Sequence, residues 1–141
     1  MSTLLTQAQI QRAFDDSPFI ASLGMTVTRV DHAAQTLTVS VPFQPGFERG
    51  AGTGQWHGGP LAAIIDTVGD FAVGMLAGRG LPTINFRVDY LRPAIQTDLV
   101  AVATVRRHGR SVGVADVELL NGEGVLLAIG RASYSTLPAA R

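Results

Sequence analysis

Two aspartates set in an otherwise apolar stretch are the residues of this sequence best suited to chemistry. Asp66 and Asp70 are four residues apart, so on a helix they share roughly one face. A carboxylate taken out of water must find hydrogen-bond donors, keep its proton, or face a cleft or an interface. In a cleft it can serve as nucleophile or general base. As a scaffold group it would instead accept bonds from a neighbouring backbone or an arginine, and the pair alone leaves both readings open. Immediately upstream, His57-Gly58-Gly59 precedes Pro60, where a helix would begin. The amides of Gly58 and Gly59 then lie in its unpaired first turn, at the positive end of the helix dipole, and two glycines let a ligand approach closely. Fixed donors of this kind form an oxyanion hole when negative charge develops on a carbonyl oxygen. The plainer reading is a glycine turn into a helix, with His57 capping or packing.

The elements that must hold these groups follow from the hydrophobic pattern. Residues 59–77 carry Leu61, Ile64, Ile65, Val68, Phe71, Ala72, Val73, Met75 and Leu76, and leave hardly any polar face. Such a helix is wrapped by other structure rather than laid on a surface. Gly78 and Gly80 stop it. Ahead of it, Thr3 or Thr6 caps a first helix that runs to about Phe14 and is stopped by Ser17-Pro18. From Met25 to Val41 the period changes to two, around a turn at 31–35, which reads as a hairpin. Residues 42–56 hold two prolines and four glycines without periodicity, a loop long enough to suggest function. After the apolar helix, Thr83–Leu91 alternates, with Ile84, Phe86, Val88 and Tyr90 on one face. Strands at Leu99–Arg106, Ser111–Leu120 and Val125–Thr136 follow, separated by the hairpin signals His108-Gly109 and Asn121-Gly122. One buried helix beside some six antiparallel strands predicts a curved sheet wrapped around that helix, an α+β architecture.

Composition narrows the functions. The 141 residues suit one domain, with 46% hydrophobic and only 16% charged residues, well under the usual share of about 25%. Part of the surface is therefore expected to be covered, most simply by another copy of the chain. Eleven arginines balance eleven acids, and this zero net charge offers nothing to nucleic acid. Without cysteine there is no thiolate catalysis, disulfide or Cys-based zinc site, and three scattered histidines suggest no metal cluster. The first residues lack the basic flank and long apolar run of a signal peptide, and the two aspartates interrupt the one candidate membrane span. Both point to a cytoplasmic protein without a membrane partner.

Residues 57–74, HGGPLAAIIDTVGDFAVG, followed by Asp89-Tyr90-Leu91-Arg92-Pro93 and by Ala128-Ile129-Gly130-Arg131-Ala132, resemble the hotdog-fold acyl-CoA thioesterases of the phenylacetate-degradation (PaaI-type) group. The likeness spans roughly residues 24–134. It implies hydrolysis of an aromatic or medium-chain acyl-CoA without a cofactor, CoA being part of the substrate. It further implies sites between subunits of at least a dimer, and more fully a tetramer whose strands pair edge to edge. By this resemblance Asp66 is nucleophile or base, the Gly58 amide polarises the thioester carbonyl, and His57 orients it. Thr83 of the neighbouring subunit would hold the attacking water, while Asp66 and Gly58 would come from one subunit. The family's Asn or Gln six residues before the histidine is Ala51 here, which leaves Gln55 or Gln44 to supply an amide. Gly59, Gln55 and Trp56 complete the expected substrate contacts, Trp56 as a stacking surface or as packing. Asp70 would share the cleft or meet an arginine. Arg106, Arg107 and Arg110 suit the phosphates of CoA, or else form a solvated turn. The alternative function on the same fold is binding of acyl-CoA without cleavage.

Overall fold

The computed structural model describes residues 3–140. Helix α1 (Gln7–Asp16) begins at Thr6, whose hydroxyl accepts from the Gln9 amide while the Gln9 side chain accepts from the Thr6 amide. This reciprocal cap selects Thr6 over Thr3. Ser17-Pro18 ends α1 as expected, but the chain then restarts as a short α2 (Pro18–Ser22), because a proline that breaks one helix is well placed in the first turn of the next. The predicted hairpin is β1 (Thr26–Asp31) and β2 (Thr36–Val41). The loop after it contains one 3₁₀ turn, Pro45–Phe47.

Helix α3 (Gly58–Ala77) is the apolar helix, and it starts one residue earlier than expected. The His57 side chain caps it, and Gly78 closes it in the left-handed region at φ 79°, its amide donating to the Gly74 carbonyl at 2.8 Å. By length and composition α3 could cross a membrane, yet most of it is enclosed by the fold. Strands β3 (Thr83–Tyr90), β4 (Leu99–His108), β5 (Val112–Asn121) and β6 (Leu126–Ser135) complete one antiparallel sheet in the order β1-β2-β4-β5-β6-β3. The sheet curls around α3, the hotdog arrangement.

Alternation decides which face meets the helix. Leu99, Ala101, Ala103 and Val105 of β4, and Ala115, Val117 and Leu119 of β5, point inward and are buried. Many of these are small, which lets α3 sit close. Among the closest approaches is Gly130 of β6: a side-chain carbon there would collide with Ile65 and lie 2.9 Å from the Arg87 carbonyl oxygen. Strand β3 behaves differently. It pairs only with β6 and forms the sheet's outer edge, and Ile84, Phe86 and Tyr90 are 57%, 42% and 54% exposed. Of its apolar side chains Val88 packs against the core, while these three do not serve the core of this chain.

The closeness at Gly130 gives a stability prediction. Gly130→Ala should cost about 1–3 kcal/mol by overpacking against Ile65. Urea unfolding monitored by circular dichroism measures this, and a loss within error of zero would show that helix and sheet can part without cost.

Candidate active site

The start of α3 is held from three sides. The His57 amide donates to the Phe47 carbonyl at 2.7 Å, tying the helix to the preceding loop. The His57 ring accepts the Gly59 amide at Nδ1, 2.8 Å away, so the neutral ring carries its proton on Nε2. The Gly58 carbonyl accepts the Tyr90 hydroxyl at 2.7 Å. Tyr90 lies so near that a side-chain carbon on Gly58 would be 3.1 Å from its hydroxyl oxygen, which explains the glycine. The Gly58 amide is left among the first-turn donors that a helix cannot satisfy itself. Gly58 lines a cleft of about 380 Å³ together with Gln55, His57, Leu61 and Tyr90.

Asp66 is half-buried, two turns further along. Its Oδ1 accepts the Thr83 hydroxyl at 2.8 Å, and its backbone carbonyl accepts the Tyr134 hydroxyl at 2.7 Å. Thr83 thus reaches Asp66 of its own chain, where the resemblance implied a neighbour's hydroxyl. Helix geometry bears on how these two groups could share a substrate. Gly58 and Asp66 are eight residues apart on one helix, about 12 Å along its axis at 1.5 Å per residue. One thioester carbonyl does not make direct contact with both across that span.

Asp70 does not pair with an arginine. Its Oδ1 accepts the Leu81 amide at 2.7 Å, while the nearby Arg79 guanidinium donates to the carbonyls of Gly80, Thr136 and Leu137. Burial is the main cause that pushes the Asp70 carboxyl up to about 7; the Leu81 amide and Arg79 act downward, and the charge of Asp66 adds upward.

The remaining expected contacts separate. Gln55 lines the cleft, whereas Gln44 is turned away to donate to the Ser22 carbonyl at 3.1 Å. Gly59 spends its amide on the His57 cap. Trp56 is 3% exposed, packed against Phe43 and Phe47 with its indole N–H on the Thr97 carbonyl at 2.9 Å, so packing is its main role. The three arginines are not one cluster. A bulge between Val105 and Arg107 splits them, and Asp116 holds Arg106 at 2.8 Å together with Arg131 at 2.6 Å. Arg110 instead lines a separate cavity with Arg79 and His108, and Arg107 lies beside Gly109 at that turn. Sequence reasoning passed over Tyr90 and Tyr134, whose hydroxyls hold the backbone of Gly58 and of Asp66. For Tyr90 a signal was present, since it sits in the Asp89–Pro93 motif. Among the described residues no group of three His, Cys, Asp or Glu could hold a metal ion.

Residues 53–128, which contain His57, Gly58, Asp66 and Thr83, match the family model described as the thioesterase superfamily. The chain belongs to the thioesterase superfamily. Among relatives of this thioesterase-superfamily chain, the medium/long-chain acyl-CoA thioesterase YigI of Escherichia coli is 30% identical, over 95% of this chain and 98% of that protein. The acyl-coenzyme A thioesterase PaaI of Escherichia coli is 28% identical, over 84% and 81%. The solved structure of zebrafish thioesterase superfamily member 2 superposes with a TM-score of 0.80 at 29% identity, over 96% and 99%.

Asp70 makes the stability of this superfamily member pH-dependent. With a folded pKa near 7, above the unfolded value of about 3.9, the folded state keeps a proton that the unfolded state releases. Stability therefore falls as pH rises from about 4 to 7, and the penalty is complete above 7. Asp70→Asn should remove this slope, gaining up to about 4 kcal/mol over the wild type at pH 8 and little at pH 4. Thermal melts across that range test it, and parallel curves for the two proteins would refute it.

Proposed function

We propose that this chain hydrolyses acyl-CoA thioesters in a site built from two copies, with Asp66 and Thr83 from one and His57 and the Gly58 amide from the other. The observation that carries the reading is the pair of contacts at opposite ends of the edge strand. Thr83, at the start of β3, holds Asp66, and Tyr90, at its end, holds Gly58. When two β3 edges pair antiparallel about a two-fold axis near Phe86 and Arg87, Thr83 of one copy lies opposite Tyr90 of the other. That pairing carries each Asp66 toward a Gly58 of the partner, which the 12 Å along a single helix forbids. It also covers Ile84, Phe86 and Tyr90, and satisfies an open sheet edge. The low charge content favours a further step to a tetramer of two such dimers.

In this site the thioester carbonyl oxygen accepts the Gly58 N–H, with the Nε2 proton of His57 alongside. Thr83 holds one oxygen of Asp66 and leaves the other for the reaction. Acting as base, Asp66 takes a proton from water while the oxygen adds to the carbonyl carbon. The tetrahedral oxyanion then collapses, the C–S bond breaks, and the CoA thiolate leaves and takes up a proton. Acting as nucleophile, Asp66 itself adds, expels the thiolate and is released as water cleaves the anhydride. Both routes give the acid and free CoA. A single donor to such an oxyanion contributes roughly 10²- to 10³-fold in rate.

The CoA phosphates fit Arg110 and Arg107. The cavity of about 440 Å³ that Arg110 lines lies just past the end of α3. Gly78 is about 18 Å from Asp66 along the axis, a span the pantetheine arm covers if it reaches about as far as five extended residues. Arg106, already held by Asp116, leaves this set. Medium-length acyl groups agree with the name of YigI, a medium/long-chain acyl-CoA thioesterase. Binding without cleavage is the second reading, favoured by Ala51, and it predicts acyl-CoA affinity with no thiol released.

Two inactive variants test the composite site. Asp66→Asn removes the acid. Gly58→Pro removes the N–H, at a first-turn position whose backbone accepts proline after a His57 already extended at φ −69° and ψ 146°, and its ring displaces the Tyr90 hydroxyl by a few tenths of an ångström. Each should lose at least about 10²-fold in kcat. Refolded together they should recover about a quarter of wild-type activity, because half of randomly mixed dimers then hold one intact site of two. No recovery on mixing would place Asp66 and Gly58 in the same subunit and overturn the proposal.

A further inference from the structure

We infer that Arg49 and Arg92 form a binding site for an anionic group carried by the substrate, in the cleft that Gly58 also lines. This rests on the reading that the Gly58 amide binds the thioester carbonyl. Both arginines line that cleft, and no aspartate or glutamate does. Elsewhere on the surface the arrangement is different: the cavity outside the sheet collects Arg87, Arg106 and Arg131 together with Asp89, Asp116 and Glu118, and so is neutral without a ligand. Neither Arg49 nor Arg92 joins an ion pair among the described residues. Glu48, next in sequence to Arg49, is turned back to accept the Gly54 amide at 2.8 Å. Arg92 makes one bond, from Nη1 to the Leu126 carbonyl at 3.0 Å, which fixes its direction and leaves most of its donors unused.

The walls that carry the two side chains are fixed by backbone pairing. The Arg49 amide donates to the Gln55 carbonyl at 2.8 Å, Trp56 donates to the Ala94 carbonyl at 2.9 Å, and Gln55 bridges Ile95. These bonds hold the loop containing Arg49 against the segment containing Arg92. Two guanidinium groups facing one cleft with no acid between them favour phosphate or carboxylate oxygens, which match their forked donors. The anion has two sources in an acyl-CoA: a carboxylate at the distal end of the acyl group, or a phosphate of the CoA, in which case Arg49 and Arg92 take the phosphate role given above to Arg107 and Arg110. Either makes this pair a determinant of which thioester is accepted.

Four thioesters separate these sources: a straight-chain acyl group and one of equal length ending in a carboxylate, each on CoA and on pantetheine, which lacks the phosphates. The expected result for the Arg49→Gln/Arg92→Gln double variant is a loss of at least tenfold in kcat/KM confined to the thioesters that carry the recognised anion. Loss with the carboxylate-ended pair identifies the acyl end, and loss with both CoA thioesters identifies a phosphate. Equal kcat/KM for variant and wild type on all four would overturn the inference. Calorimetry with the hydrolysis products, namely CoA, pantetheine and the monocarboxylic and dicarboxylic acids, provides the same comparison without turnover. A wild type that hydrolyses none of the four refutes the thioesterase reading, and equal product affinities for the two proteins independently refute the anion site.

Discussion

The structure depends on one constraint: a twenty-residue helix with almost no polar face has to be kept from water. Among the described residues no second helix is long enough to shield it alone, and although Phe14 of α1 packs against Phe71, a single sheet must curl around the rest. That requires small residues where the sheet crosses the helix, and the chain supplies them at Ala101, Ala103, Ala115, Gly130 and Ala132. The curl uses the inward faces of β2, β4, β5 and β6. Strand β3 lies at the rim, and its exposed apolar side chains remain for another surface. The unsatisfied edge is a consequence of how the helix is enclosed rather than a separate feature.

Helix rigidity then shapes the chemistry. A flexible loop could bring a donor amide and a carboxylate to one carbonyl, but eight residues of helix hold Gly58 and Asp66 apart by about 12 Å. Each is anchored to the same edge strand, one at either end. An antiparallel pairing of that edge with a second copy would exchange the ends, and in the proposed site it is this exchange that would couple the contact between copies to the two groups.

The sequence was most legible where periodicity and end signals agree. The boundaries of α3 follow from His57-Gly58-Gly59-Pro60 and Gly78, and the hairpins from their turn residues. The loop at residues 42–56 was not legible, because bridges such as Glu48 to Trp56 and Gln55 to Ile95 join segments with no periodic pattern. Within the site, the spacing of Gly58 and Asp66 was readable as a motif, yet their separation along a helix shows that a motif is not a site. The fate of Arg106 was hidden for a related reason. Three nearby arginines look like a cluster in one dimension, but a bulge and the cross-strand neighbour Asp116 divide them.

The two aspartates show how one turn of helix yields two different acids. Thr83 presents a hydroxyl to Asp66 at the rim, where the group is half-exposed and reachable from a partner. Asp70 lies deeper, and the donor it meets is the Leu81 amide, which belongs to the chain turning back toward β3. One backbone donor does not offset burial, so Asp70 holds its proton to about pH 7. Below about pH 7 the protonated Asp70 places no like charge one turn from Asp66. The same reasoning explains why an apolar helix can carry two carboxylates: each has one short hydrogen bond from the segment 81–83, and that segment is the lead into the edge strand β3.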